Sequence, residues 1–144
     1  MDKILIIIVI YKMAVEEIAL LKNIEGIDIL IYDNSPEAQK VNSNYKYHHN
    51  PLNEGVSAGY NFGIELARKL NKEYILLLDQ DTSFSMEHLN EYLKSMERNG
   101  TKYIYAPIVV GHDKIYSPFL EKKNRNRCQT QEDFVYNESY ELKE

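Results

Sequence analysis

The stretch from His48 to Thr82, HHNPLNEGVSAGYNFGIELARKLNKEYILLLDQDT, decides the fold. Its middle, Ser57 to Leu70, predicts a helix, and Gly55, Gly59 and Gly63 recur every four residues along it. Each helical glycine costs about 1 kcal/mol relative to alanine. A glycine face lets a helix approach a sheet or a ligand closely, and the residues leave both open. After a short connection, Tyr74 to Leu78 is an apolar strand that runs straight into Asp79-Gln80-Asp81. A helix followed at once by such a strand is one half of a parallel crossover.

Working outward, the same alternation continues in both directions. Toward the N-terminus, Asn50 to Gly55 reads as a loop and Tyr45 to His48 as a short, weakly signalled strand. Ile27 to Tyr32 is an apolar strand stopped by the turn chemistry of Asp33-Asn34-Ser35-Pro36. Met13 to Asn23 predicts a helix, with Met13, Ile18 and Leu21 at helical spacing and Gly26 as its breaker. Ile4 to Ile10 is apolar throughout, as a strand covered on both faces must be. Toward the C-terminus, Met86 to Arg98 predicts a helix closed by Asn99-Gly100, and Tyr103 to Val110 a fifth strand weakened by Pro107. The expected class is α/β, a three-layer α/β/α arrangement around a mostly parallel sheet. Residues 1–110 form the core of this reading and 111–144 a polar C-terminal extension. Residues 121–131 carry Glu121, Lys122, Lys123, Arg125 and Arg127, a basic run, before an acidic end.

Composition removes several function classes. The 144 residues suffice for one domain, and 44% hydrophobic residues suffice for a core. A formal charge of −5 argues against a general nucleic-acid binder. Cys128 is the single cysteine, so neither a disulfide scaffold nor a cysteine zinc site is available. The longest apolar run, Ile4 to Ile10, is too short for a bilayer, which takes about 20 residues. It also lacks the basic leader of a signal peptide, so a cytoplasmic chain is expected.

In an open parallel sheet, ligands bind beyond the carboxyl ends of the strands. After the first strand comes Tyr11-Lys12-Met13, without the glycines of a dinucleotide fingerprint, and a phosphate-binding GxxxxGK[ST] loop is missing from the whole sequence. What does sit at strand ends is Asp33, then Asp79 and Asp81. Two carboxylates two residues apart point the same way if the chain stays extended. An acidic pair directly behind a buried strand is costly unless paired, which favours a hard cation such as Mg²⁺ or Mn²⁺ over a solvated turn. Asp33 alone is better explained by an Asx turn before Pro36, which needs no function. His48 and His49 read as a solvated pair, His88 as a surface residue, and the basic run as a solvated face rather than a diphosphate or anionic-membrane contact.

Taken in order, IIIVIYKMAVEEIALL, IDILIYDNSP, HHNPLNEGVSAGYNFGIELA and YILLLDQDT resemble the N-terminal half of family 2 glycosyltransferases, nearest to the rhamnosyltransferase-like group. The resemblance covers about Ile4 to Val110. It implies a Rossmann-like GT-A fold that binds a nucleoside-diphosphate sugar. It puts Asp33 on the base, Asn53 and Gly55 beside the nucleotide, Asp79 near the ribose and Asp81 on a Mg²⁺ or Mn²⁺ ion, with Asp79 beside it. Tyr11 joins this nucleotide-sugar-binding set as the residue at the end of the first strand. The implied reaction is inverting transfer from a dTDP- or UDP-sugar to a saccharide or lipid-linked acceptor in surface polysaccharide synthesis. The implied setting is cytoplasmic, including the inner face of the membrane by peripheral association.

Family members are longer, and their catalytic base is an acidic residue in the second half. The expectation is therefore a donor-binding half, incomplete at its C-terminus, that binds nucleotide but transfers sugar poorly when assayed alone. Asp113, Glu132 and Asp133 are forced choices for the base, and exchange within a homodimer is one way to supply it. Two rival readings come from other classes. One is a non-catalytic nucleotide-sugar-binding fragment. The other is a haloacid-dehalogenase-like phosphatase using Asp79 as nucleophile, since Asp79-Gln80-Asp81-Thr82 fits DxDxT. No second acidic metal motif follows it.

Overall fold

The computed structural model describes residues 2–102, 104–107, 109–111 and 114–117. Cys128, the basic run at 121–131, Asp113, Glu132 and Asp133 lie outside the described residues. The chain divides into two units, Met1–Glu91 and Tyr92–Glu144.

The first unit is built on four strands: β1 (Ile4–Ile10), β2 (Asp28–Asp33), β3 (Lys46–His49) and β4 (Tyr74–Asp79). They form one sheet in the order β3-β2-β1-β4, and every pairing is parallel. β1 is central, so both its faces are covered and its uniformly apolar sequence is buried almost throughout. Helix α1 (Val56–Lys69) joins β3 to β4 and packs on the face that carries Leu5, Ile7 and Leu30. The chain steps from β1 to β2 in one direction and from β3 back to β4 in the other. Right-handed crossovers then put the β1–β2 connection on the face opposite α1.

The glycine face of α1 meets the sheet. A Cβ on Gly59 would lie 2.6 Å from Val9 Cγ2, and one on Gly63 would collide with the Ile7 side chain. Close approach to β1, rather than to a ligand, accounts for these two glycines. Gly55 works differently, since it holds φ of 89° at the N-terminus of the helix. L side chains rarely adopt that conformation.

Two predicted elements differ. The helix expected over Met13 to Asn23 is instead a pair of short 3-10 turns, Val15–Glu17 and Ala19–Lys22, separated by Ile18 in an extended conformation. Val15, Ile18, Leu20 and Ile24 are all buried. Successive spacings of three, two and four residues would spread them around an α-helix. Breaking the helix at Ile18 lets all four turn inward. The fifth strand expected over Tyr103 to Val110 is shorter and shifted. Residues 104–107 carry no regular structure, while β5 (Val109–Gly111) pairs antiparallel with β6 (Lys114–Ser117) in a separate sheet. Pro107 has no N–H to offer a ladder. Helix α2 (Met86–Asn99) ends where the sequence predicts, with Gly100 at φ of 74°.

Candidate functional site at the strand ends

The reversal of strand order falls between β1 and β4, the place where open α/β sheets form their ligand crevice. On the β1 side stand Tyr11 and Lys12. On the β4 side stands the acidic turn. The two sides are joined, because the Tyr11 N–H donates to Gln80 Oε1 at 2.8 Å. The next residue turns the other way: the Lys12 N–H donates to Ser35 Oγ at 2.9 Å, on the loop after β2. Sending successive N–H groups to opposite flanks goes with a left-handed backbone at Lys12, φ 52°. Left-handed conformations of residues other than glycine are costly and gather at functional sites. The Lys12 ammonium rests 5.1 Å from the centre of the Tyr11 ring, and Tyr11 is 42% exposed.

Asp79-Gln80-Asp81-Thr82 does not stay extended, so the condition under which its two carboxylates would point the same way is not met. The Thr82 N–H donates to Asp79 O at 3.1 Å and closes a β-turn. Asp, Gln and Thr after a strand end are turn-compatible residues. Both carboxylates are exposed, so burial does not force them to pair. Asp79 shares the α1 face of the sheet. Burial first, and then the Asp79 carboxylate, push the Tyr60 phenol above its ordinary pKa.

Asp33 lies on the other side of β1 and is fully buried. Its Oδ1 accepts the Ser35 N–H at 2.8 Å, and its Oδ2 accepts Tyr47 Oη–H at 2.7 Å and Gln39 Nε2–H at 3.0 Å. Burial pushes this carboxyl up, but the donors from Ser35, Tyr47 and Gln39 outweigh it and hold the pKa below the usual value. Gln39 also donates to Met13 O and accepts the Val15 N–H, so Asp33 anchors the loops after β1 and β2 together. Between those loops opens a cleft of about 380 Å³, with Lys12, Met13 and Ala14 on one side and Ser35, Pro36, Glu37 and Gln39 on the other.

The Asn50–Gly55 loop meets the same edge. Asn53 is exposed, with φ of 48°, a conformation asparagine tolerates. Asn50 is the residue that sequence reasoning missed. It is buried, its N–H donates to Asp33 O at 2.8 Å, and its amide donates to Tyr32 Oη and Glu54 Oε2 at 2.8 and 2.9 Å. An asparagine before a proline reads only as loop, so its burial had no local signal. His48 and His49 are not a free solvated pair. His48 stacks on Tyr32 and Phe62, with centroids 5.1 and 4.0 Å away, and His49 Nε2 lies 2.8 Å from Ser35 O. His88 is exposed, as expected, beside Ser85.

No group of three or more His, Cys, Asp or Glu side chains forms a metal cage among the described residues. Two exposed carboxylates on one turn, Asp79 and Asp81, are nonetheless the oxygen donor set that Mg²⁺ or Mn²⁺ takes when substrate phosphates complete its shell. Among the described residues, this pair fits a cation shared with a ligand rather than one held by protein alone. Also among the described residues, no helix is long and apolar enough to cross a membrane.

No curated protein and no solved structure matches the chain. The family described as glycosyl transferase family 2 matches residues 14–141. That match spans most of the sequence and includes the 3-10 turns, the Asp33 loop, α1 and the acidic turn. With its parallel α/β sheet of GT-A type, the chain belongs to glycosyl transferase family 2.

Proposed function

We propose that the crevice between β1 and β4 binds a nucleoside-diphosphate sugar and presents its sugar for inverting transfer to a saccharide or lipid-linked acceptor. The observation that supports this reading is the Tyr11–Gln80 hydrogen bond, which ties the exposed Tyr11 to the turn that carries the two exposed carboxylates. The Tyr11 ring offers an apolar face for the nucleoside. Asn53 and Gly55 lead into α1, a 14-residue helix whose first N–H groups suit a diphosphate. Gly55 has no side chain with which to cap them. Asp79 and Asp81 would hold a Mg²⁺ or Mn²⁺ ion beside that diphosphate. When bound, the ion supplies positive charge against the leaving group.

Asp33 serves the base through the loops it fixes, since both its oxygens already accept protein donors. The rhamnosyltransferase-like sequence favours a dTDP-sugar, with a UDP-sugar next, and a role in surface polysaccharide synthesis on the cytoplasmic side. The test is a titration of the protein with UDP, dTDP and GDP, each with and without Mn²⁺. Tighter binding of a nucleoside diphosphate with Mn²⁺ is expected. Equal affinity with and without metal counts against the metal, absence of nucleotide binding counts against the site, and hydrolysis of a generic phosphomonoester would favour a phosphatase.

A further inference from the structure

Strand pairing between β1 and β4 ends at Val9 opposite Asp79, after which the chain of β4 folds into its turn. Tyr11 therefore has no backbone partner on the β4 side, yet its N–H points there. The side chain of Gln80 fills that place. Its amide oxygen stands where the next strand carbonyl would be, 2.8 Å from the Tyr11 nitrogen, and extends the ladder by one rung past the end of β4. The second position of an exposed turn ordinarily leaves its side chain in solvent. Here that side chain is spent on the crevice, from a residue flanked on each side by one of the two exposed carboxylates.

We propose that Gln80 is a positioning residue that locks the acidic turn to the exit of β1, so that Tyr11 and the Asp79–Asp81 pair engage opposite ends of one nucleotide together. This rests on the nucleotide-binding reading above. A ligand held at two points gains from both only when their spacing is fixed beforehand. On the far flank, Ser35 holds Lys12 in the same way, so the exit of β1 is braced from both sides. With that brace in place, release of Gln80 frees the acidic turn relative to Tyr11 and leaves the β1–β2 side as it is.

The experiment compares wild type, Gln80→Leu and Gln80→Glu. Leucine removes the acceptor at similar size, while glutamate keeps one. Two readouts are taken: hydrogen exchange of the Tyr11 amide by NMR in the free protein, and affinity for UDP or dTDP, whichever wild type binds more tightly, with and without Mn²⁺. The inference expects faster Tyr11 exchange in Gln80→Leu and a loss of about tenfold in the Mn²⁺-dependent gain in affinity, the size typical when a group orienting metal ligands is removed. The thermal midpoint should stay near wild type. Gln80→Glu should restore both Tyr11 protection and the Mn²⁺ gain, and its added charge can only favour the cation. A Gln80→Leu protein with an exposed Tyr11 amide and an undiminished Mn²⁺ gain would overturn the inference while leaving the nucleotide site standing. So would equal loss in Gln80→Leu and Gln80→Glu, or a Tyr11 amide unprotected in wild type. A wild-type protein without any Mn²⁺ gain removes the metal-binding reading itself, and the inference with it.

Discussion

Asp33 and Asp79 flank the end of β1, paired with its neighbouring residues Ile10 and Val9, and so face opposite sides of the sheet. Two strand spacings put their backbones about 10 Å apart. Proximity does not make them partners. One is buried under three donors, the other exposed beside the crevice, and they answer different questions about the protein.

Asp33→Asn should destabilise the fold by about 1.5–3 kcal/mol at pH 7, the range for hydrogen bonds to a charged acceptor. The sign with pH follows from its lowered pKa. The native state favours the ionised form, so this stability is fully present well above the unfolded value of about 3.9 and is lost as pH falls through the native one. Urea unfolding from pH 7 down to 3 should show a decline in wild type that Asp33→Asn lacks in part. Identical pH dependence in the two proteins would show that Asp33 carries no such linkage.

Asp81→Asn should remove the gain in nucleoside-diphosphate affinity conferred by Mn²⁺, a loss of several kcal/mol, and leave the unfolding midpoint unchanged. Calorimetric titration checks the first and thermal unfolding the second. Undiminished Mn²⁺-dependent binding in this variant would remove Asp81 from the metal site.

Gly63→Ala should destabilise the protein although alanine is the better helix former. The added methyl meets Ile7 at the heart of the sheet, and overpacking costs about 1–3 kcal/mol against a propensity gain of about 1. Ile7→Val deletes the Cδ1 atom that an added methyl would meet. In a double-mutant cycle by urea unfolding, Gly63→Ala should cost less in the Ile7→Val background, and additivity would refute the contact.

Asn50→Ala should cost about 1–3 kcal/mol, because Tyr32 Oη and Glu54 lose a shared donor in a buried place. Hydrogen exchange in residues 50–55 should rise, and nucleotide affinity should fall with it. Unaltered exchange there would show that Pro51 and Gly55 hold the loop without Asn50.

Local pattern determined much of the fold. Uniform apolarity marks Ile4–Ile10 as a central strand, and four-residue glycine spacing marks the α1 face that meets the sheet. Turn chemistry marks the strand ends that carry Asp33 and Asp79. These signals are legible because a strand's period, a helix's period and a turn's residues are properties of a few neighbours in sequence. Tertiary structure alone decided the rest. Met13, Ile18 and Leu21 read as helical spacing, but burying Val15, Ile18, Leu20 and Ile24 together broke that helix at Ile18. Asp33, Asn50 and Gln80 each look like loop residues. Burial of one carboxylate under donors up to 14 residues away, and a hydrogen bond spanning 69 residues between Tyr11 and Gln80, depend on which strands lie side by side. Strand order is set by long-range packing and crossover handedness, which no local window of sequence contains.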